Sequence, residues 1–89
     1  MSDKYVYVIT DGECFKIGVS NDPESRLKTL QTGNKNTLEL VYKEVKKHPF
    51  KVEKYLHRQL HKNHAGGEWY TNITLHDIRV QLILCTEYD

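Results

Sequence analysis

The chain has 89 residues, 38% of them hydrophobic, 28% charged and 10% aromatic, with a formal net charge of +1. That composition is globular and excludes a collagen, a coiled coil and a fully disordered chain, and the length suits one domain, residues 1–89, whose small core buries roughly 60–65% of the unfolded surface. No apolar run approaches the ~18 residues that cross a bilayer, the opening Met-Ser-Asp-Lys-Tyr lacks the apolar stretch of a signal peptide, and Cys14 and Cys85 make neither a disulfide framework nor a CxxC zinc knuckle, so a cytoplasmic, reducing setting with no membrane contact is expected.

Residues 5–10 (Tyr-Val-Tyr-Val-Ile-Thr) are β-branched and aromatic and read as a strand. Asp11-Gly12-Glu13 is a hairpin turn signal, and residues 14–19 read as the second, antiparallel strand. Asp22 as N-cap and Pro23 in the first helical position open a helix to about residue 32. Leu27 and Leu30 share one of its faces, and Gly33 stands at its C-terminal cap position. Residues 38–45 alternate as a third strand. Pro49 opens a second helix, running to about His61 or Asn63, with Val52, Leu56 and Leu60 on one stripe and Tyr55 beside it. Ala65-Gly66-Gly67 breaks that helix, and residues 68–71 form a short strand or turn. Thr74 caps a last helix, with Asp77 in the capping-box position and Ile78, Leu82 and Cys85 on one face. The order β-β-α-β-α-(β)-α predicts an α+β fold: a small antiparallel sheet of three main strands flanked by helices.

Several residue sets could carry chemistry. With the hairpin turn centred near Gly12, Tyr7 pairs with residue 16 or 17, so Lys16 faces its phenol. An ammonium there would lower the phenol pKa and make a usable general base; the plainer reading is a packed cross-strand pair. Arg26 sits one turn into the first helix, where the dipole disfavours a cation unless a bound anion meets both the helix N–H groups and the guanidinium fork; an exposed arginine is the alternative. Glu53 has His57 and His61 at i+4 and i+8 on the same helix face. Its carboxylate could hold Mg²⁺. A zinc site on His57, His61 and His64 is the rival, although Arg58 stands where a metalloprotease HExxH motif has glutamate. Residues 43–62 carry seven Lys and Arg against two Glu, a basic side suited to a polyanion or a solvated helix face.

Tyr5-Val6-Tyr7, then Lys16-Ile17-Gly18, then Asn21-Asp22-Pro23 with Arg26, together resemble the GIY-YIG nuclease domain. Leu30-Gln31-Thr32-Gly33-Asn34, the segment Val52-Glu53-Lys54-Tyr55-Leu56-His57 and Gly67-Glu68-Trp69-Tyr70 are similar to the small branch of that family common in phages and large DNA viruses. The resemblance spans about residues 4–80. It implies a DNA endonuclease with one divalent metal, Mg²⁺ or Mn²⁺. Tyr7 matches the family's presumed base, Arg26 the arginine that steadies the scissile phosphate, and Glu53 the metal-binding glutamate. Lys16 stands where the second motif has tyrosine, as in some family restriction enzymes, Tyr5 where the first has glycine, and Leu30 where a His or Tyr is frequent. Glu68 and Asn72 lie where the family often has an asparagine, without a clean match.

The implied reaction is in-line attack of water on phosphorus, leaving 5′-phosphate and 3′-hydroxyl ends. Tyr7 handles the proton, Lys16 and Arg26 offset equatorial charge, and the metal on Glu53 stabilises the leaving oxygen. Tyr5, Lys47, Lys51, Lys54 and Arg58 are the expected DNA contacts, giving salt-dependent affinity with little sequence preference. Specificity would come from a homodimer, a partner protein or DNA structure. The competing reading is a catalytically weak or inactive nucleic-acid-binding module on the same fold.

Overall fold

The computed structural model describes residues 4–85. In chain order they form β1 (Tyr5–Thr10), β2 (Phe15–Ser20), α1 (Pro23–Thr32), β3 (Glu39–Val45), α2 (Pro49–Gln59), a 3-10 turn (His61–Asn63), β4 (His64–Gly66), β5 (Trp69–Tyr70) and α3 (Leu75–Leu84). The strands make one antiparallel sheet in the order β3-β1-β2-β5-β4. The expected α+β class and element order hold. The three main strands are extended by a small β4–β5 hairpin, whose turn is Gly67-Glu68; Gly66, at the end of β4, and Gly67 take φ of 136° and 55°. Among the described residues no helix is long and apolar enough to cross a membrane.

The β1–β2 loop corrects the expected register. Asp11 accepts hydrogen bonds from the N–H groups of Glu13 at 2.9 Å and Cys14 at 2.8 Å, and the Thr10 hydroxyl donates to the Cys14 carbonyl at 2.8 Å. The loop therefore occupies residues 11–14 instead of closing tightly around Gly12. Tyr7 pairs with Gly18, and Lys16 pairs with Ile9; Lys16 does not face Tyr7.

The central strand β1 is buried on both sides, which is why its apolar run is continuous rather than alternating. Val6 and Val8, with Ile17 of β2, pack against Val52, Leu56 and Leu60 and against Ile78, Leu82 and Cys85 of the last helix. Tyr7 and Ile9 point the other way and pack with Leu38, Leu27, Leu30 and Trp69. The helix stripes read from sequence are thus the ones buried, α2 and α3 covering one face and α1 the other. Asp22 caps α1 by accepting from Ser25 N–H at 3.1 Å. Thr74 and Asp77 form the capping box of α3. Gly33 ends α1 at φ −100°, so its place in the cap needs no left-handed backbone. Cys14 lies half-buried in the hairpin loop and Cys85 in the core, with no disulfide between them.

One consequence of topology matters for function. The ladder between β2 and β5 covers only Phe15 and Lys16, with one further bond from Ile17 N–H to the Glu68 carbonyl at 3.3 Å. Beyond Ile17 that side of β2 carries no described strand partner, and a pocket opens there.

Candidate active site

The pocket at the end of β2 has a volume of about 400 Å³ and is lined by Val19, Ser20 and Asn21 together with Lys4, Tyr7, Arg26, Phe50, Glu53 and Glu68. Three of the four expected catalytic residues, Tyr7, Arg26 and Glu53, therefore share one cavity although they come from β1, α1 and α2. They approach from different layers. Tyr7 belongs to the sheet face covered by α1, whereas α2 packs on the opposite face. The short β5 leaves the edge of β2 open, and there the two sides meet.

Gly18 makes the crossing feasible. It pairs directly with Tyr7, and a Cβ built on Gly18 would lie 2.5 Å from the Tyr7 hydroxyl and 2.6 Å from Cζ. The phenol thus lies across the bare backbone of Gly18 and projects its oxygen to the pocket. Tyr7 is 2% exposed. Burial pushes its pKa above the usual tyrosine value, and the hydrogen bond and charge of the Arg26 guanidinium pull it down by less. The phenol is therefore neutral at physiological pH. This corrects the expectation that a facing ammonium lowers its pKa: the register takes Lys16 away, and desolvation prevails.

Glu53 is partly buried on the flank of α2. Burial, then the nearby carboxylate of Glu68, raises its pKa above the ordinary carboxylate value, with Lys16 opposing. The His57 imidazole places Nε2 3.8 Å from the Glu53 carboxylate, and its Nδ1 is hydrogen-bonded to the hydroxyl of Tyr70. Burial lowers the His57 pKa, so the ring is neutral near pH 7. In the tautomer that accepts the Tyr70 O–H at Nδ1, the ring proton is on Nε2, on the side of Glu53.

Lys16 does not itself line the pocket. Its ammonium is 3.2 Å from the carboxylate of Glu68, which does, and it stands 5.7 Å from the centre of the Trp69 ring. The lysine is thus behind the site, linked to it through Glu68. The zinc alternative finds no ligand set. Among the described residues no three His, Cys, Asp or Glu side chains cluster for a metal; His57 is engaged by Tyr70, and His64 Nε2 meets the Gly67 carbonyl at 2.6 Å.

The basic segment divides. Lys43 is paired with Glu24 and Lys46 with Glu44, and Lys43 also stands 5.2 Å from the centre of the half-buried Tyr5 ring. Lys47, Lys51, Lys54 and Arg58 are exposed. The last three recur at i, i+3 and i+7, on the side of α2 turned away from Val52 and Leu56.

The model of the T5orf172 domain matches residues 4–82. The chain belongs to the T5orf172 domain family. T5orf172 domains are found in phage proteins and are associated with nuclease-type modules. No curated protein and no solved structure matches the chain.

In this T5orf172 domain, four contributors to the site owe their place to the fold rather than to a local sequence pattern. Glu68 was visible in Gly67-Glu68-Trp69-Tyr70, but its place depends on the β4–β5 turn, which carries it back to the edge of β2. Lys4 and Phe50 lie at element ends, where no periodicity marks them. The role of Gly18 follows only from the register, because nothing in the local sequence says that an aromatic ring crosses it.

Proposed function

We propose that this T5orf172 domain is a metal-dependent DNA endonuclease working on the GIY-YIG plan its sequence resembles. The observation that carries the reading is that the side chains of Tyr7, Arg26 and Glu53 line one pocket, bringing together a cation, a phenol and a carboxylate, a set suited to phosphodiester hydrolysis.

The support for a hard divalent ion among the described residues is a pair of carboxylates rather than a full ligand set. Glu53 and Glu68 offer carboxylate oxygens on the same cavity, near enough for one to raise the pKa of the other. Such oxygen donors, with water and a phosphate oxygen completing the shell, suit Mg²⁺ or Mn²⁺ rather than zinc. Glu53, with Glu68 beside it, would hold the ion, which when bound would supply Lewis-acid stabilisation of the leaving 3′ oxygen.

The chain's own groups do the rest. Arg26, exposed at the pocket mouth, binds the nonbridging oxygens of the scissile phosphate and offsets the charge that grows on them in the transition state. Tyr7 is rigidly held. Its neutral hydroxyl orients the attacking water and passes on the proton released as the new P–O bond forms and the bond to the 3′ oxygen breaks. The proton is delivered through solvent to the 3′ hydroxyl, and the other end is a 5′-phosphate. Lys16 keeps Glu68 in place and adds positive potential behind the site.

The alternative, a nucleic-acid-binding module without turnover, draws on the Lys16–Glu68 ion pair, which occupies the ammonium that would otherwise meet phosphate. A plasmid-nicking assay with Mg²⁺ or Mn²⁺ decides between them. Nicking by the parent and its absence in Glu53→Ala support the enzyme; DNA binding without nicking supports the module.

A further inference from the structure

Phe50 has the features of a binding residue. It is the second residue of α2 and is 61% exposed. Val45, Val80, Ile83 and Leu84 are also exposed, but only Phe50 of this group lines the pocket. It lies on the flank of α2 that also carries Glu53 and His57, at i+3 and i+7. The ammonium of Lys4 stands 5.9 Å from the centre of its ring, and Lys47 and Lys51, both exposed, bracket it in sequence. A phenyl ring left 61% exposed contributes little to folding. Placed among cations beside a phosphate pocket, it has the composition of a surface for unpaired nucleic acid, where cations follow the backbone and an aromatic face meets a base.

We propose that Phe50 stacks on an unpaired nucleobase next to the phosphate held in the pocket, so that the preferred substrate is DNA with a displaced or unpaired base: a flap, a branch or a single strand. The inference deepens the nuclease reading and rests on it for the phosphate. In continuous duplex both faces of every base are covered by their neighbours, and inserting the ring would require unstacking a step at a cost of a few kcal/mol. An unpaired base has a face to offer without that cost, and any of the four bases can supply it.

The test is binding measured in EDTA, where no cutting occurs. Fluorescence anisotropy compares a single strand, a blunt duplex and a flapped duplex, with 2-aminopurine at the unpaired position of the flap. The parent protein is expected to bind the flap and the single strand more tightly than the duplex and to quench the 2-aminopurine. Phe50→Ala should weaken binding to the unpaired substrates at least about five-fold, collapsing the preference, and should abolish the quenching. Phe50→Trp should retain both. The ring is mostly exposed, so Phe50→Ala is expected to melt as the parent does. Equal affinity of the parent for flap and duplex, or an undiminished preference and quench in Phe50→Ala, overturns the inference while leaving the nuclease reading standing on nicking. Failure of the parent to bind any of the three overturns the inference, and nicking with Mg²⁺ or Mn²⁺ then decides the nuclease reading by itself.

Discussion

The phenol of Tyr7 lies over Gly18, its cross-strand partner, so closely that a single added carbon on Gly18 would stand 2.5 Å from the hydroxyl oxygen. Both residues are buried, and Tyr7 also packs among Ile9 and Leu38, so the ring has little room to retreat. Gly18→Ala is therefore expected to act by overpacking, lowering stability by about 1–3 kcal/mol in urea unfolding. Because the displaced group is the phenol itself, nicking should fall further than the loss of folded protein explains, measured at a temperature where the variant is fully folded.

The site residues differ in burial, and their variants should differ accordingly. Tyr7→Phe keeps the ring that fills the core and loses only the hydroxyl, so the melting transition should change little while nicking falls about 10²–10⁴-fold. Arg26→Ala removes an exposed side chain whose guanidinium hydrogen-bonds the Tyr7 hydroxyl; with pocket water able to replace that bond, stability should fall by no more than about 1 kcal/mol while the rate falls about 10²–10³-fold. Full nicking by both variants would remove these two residues from the mechanism. Thermal melts beside single-turnover nicking supply both readouts.

Tyr70→Phe tests the link behind Glu53. The Tyr70 hydroxyl is buried with the His57 Nδ1 as its partner, and the other ring nitrogen faces Glu53. Removing the hydroxyl leaves a partly buried nitrogen without its bond, which should cost about 1–2 kcal/mol in urea unfolding. An unchanged midpoint would show that water replaces the hydroxyl without loss.

Much of this arrangement was legible in the sequence, for reasons that are local. Asp22, Pro23, Thr74 and Asp77 state their helix starts because capping needs only neighbours in the chain. Val52, Leu56 and Leu60 state which side of α2 is buried. What sequence did not disclose depends on distances along the chain that no local pattern fixes. The hairpin register shifted because Asp11 bonds two N–H groups and widens the loop, and that shift exchanged Lys16 for Gly18 opposite Tyr7. The direction of the Tyr7 pKa followed, since an expected neighbouring charge was replaced by burial. The meeting of Tyr7 and Glu53 was anticipated through the family resemblance, but its route was not. The two approach from opposite faces of the sheet and meet because β5 is only two residues long.

The hairpin loop itself gives a pH prediction. Asp11 accepts hydrogen bonds from the N–H groups of Cys14 and Glu13, which hold its carboxyl below the ordinary value of 3.8. A carboxylate whose folded pKa is lowered stabilises the fold above its unfolded pKa and loses that contribution as pH falls through the folded value. The group is only partly buried, so solvent screens the effect. Asp11→Ala should accordingly be less stable than the parent at pH 7, and the difference should shrink as the pH is taken below 3.8. Urea midpoints of the two proteins across that range provide the check; a gap that widens on acidification would refute the assignment.

The exposed cations of α2 give the last expectation. Lys51, Lys54 and Arg58 occupy one solvent-facing stripe, with Lys47 just before the helix, whereas Lys43 and Lys46 are engaged with Glu24 and Glu44. If the free stripe follows a DNA backbone, each contact releases counterions, and the plot of log affinity against log salt steepens by roughly 0.9 per phosphate on duplex and roughly 0.7 on single strands. Lys51→Ala and Lys54→Ala should therefore each flatten the slope by about one contact's worth and weaken binding alike for unrelated sequences. Lys43→Ala, which removes a cation already neutralised by Glu24, should flatten it less. The comparison is made by anisotropy titrations at several salt concentrations without divalent metal. A slope unchanged in Lys51→Ala and Lys54→Ala but reduced in Lys43→Ala would move the DNA path from α2 to the β3 edge of the sheet.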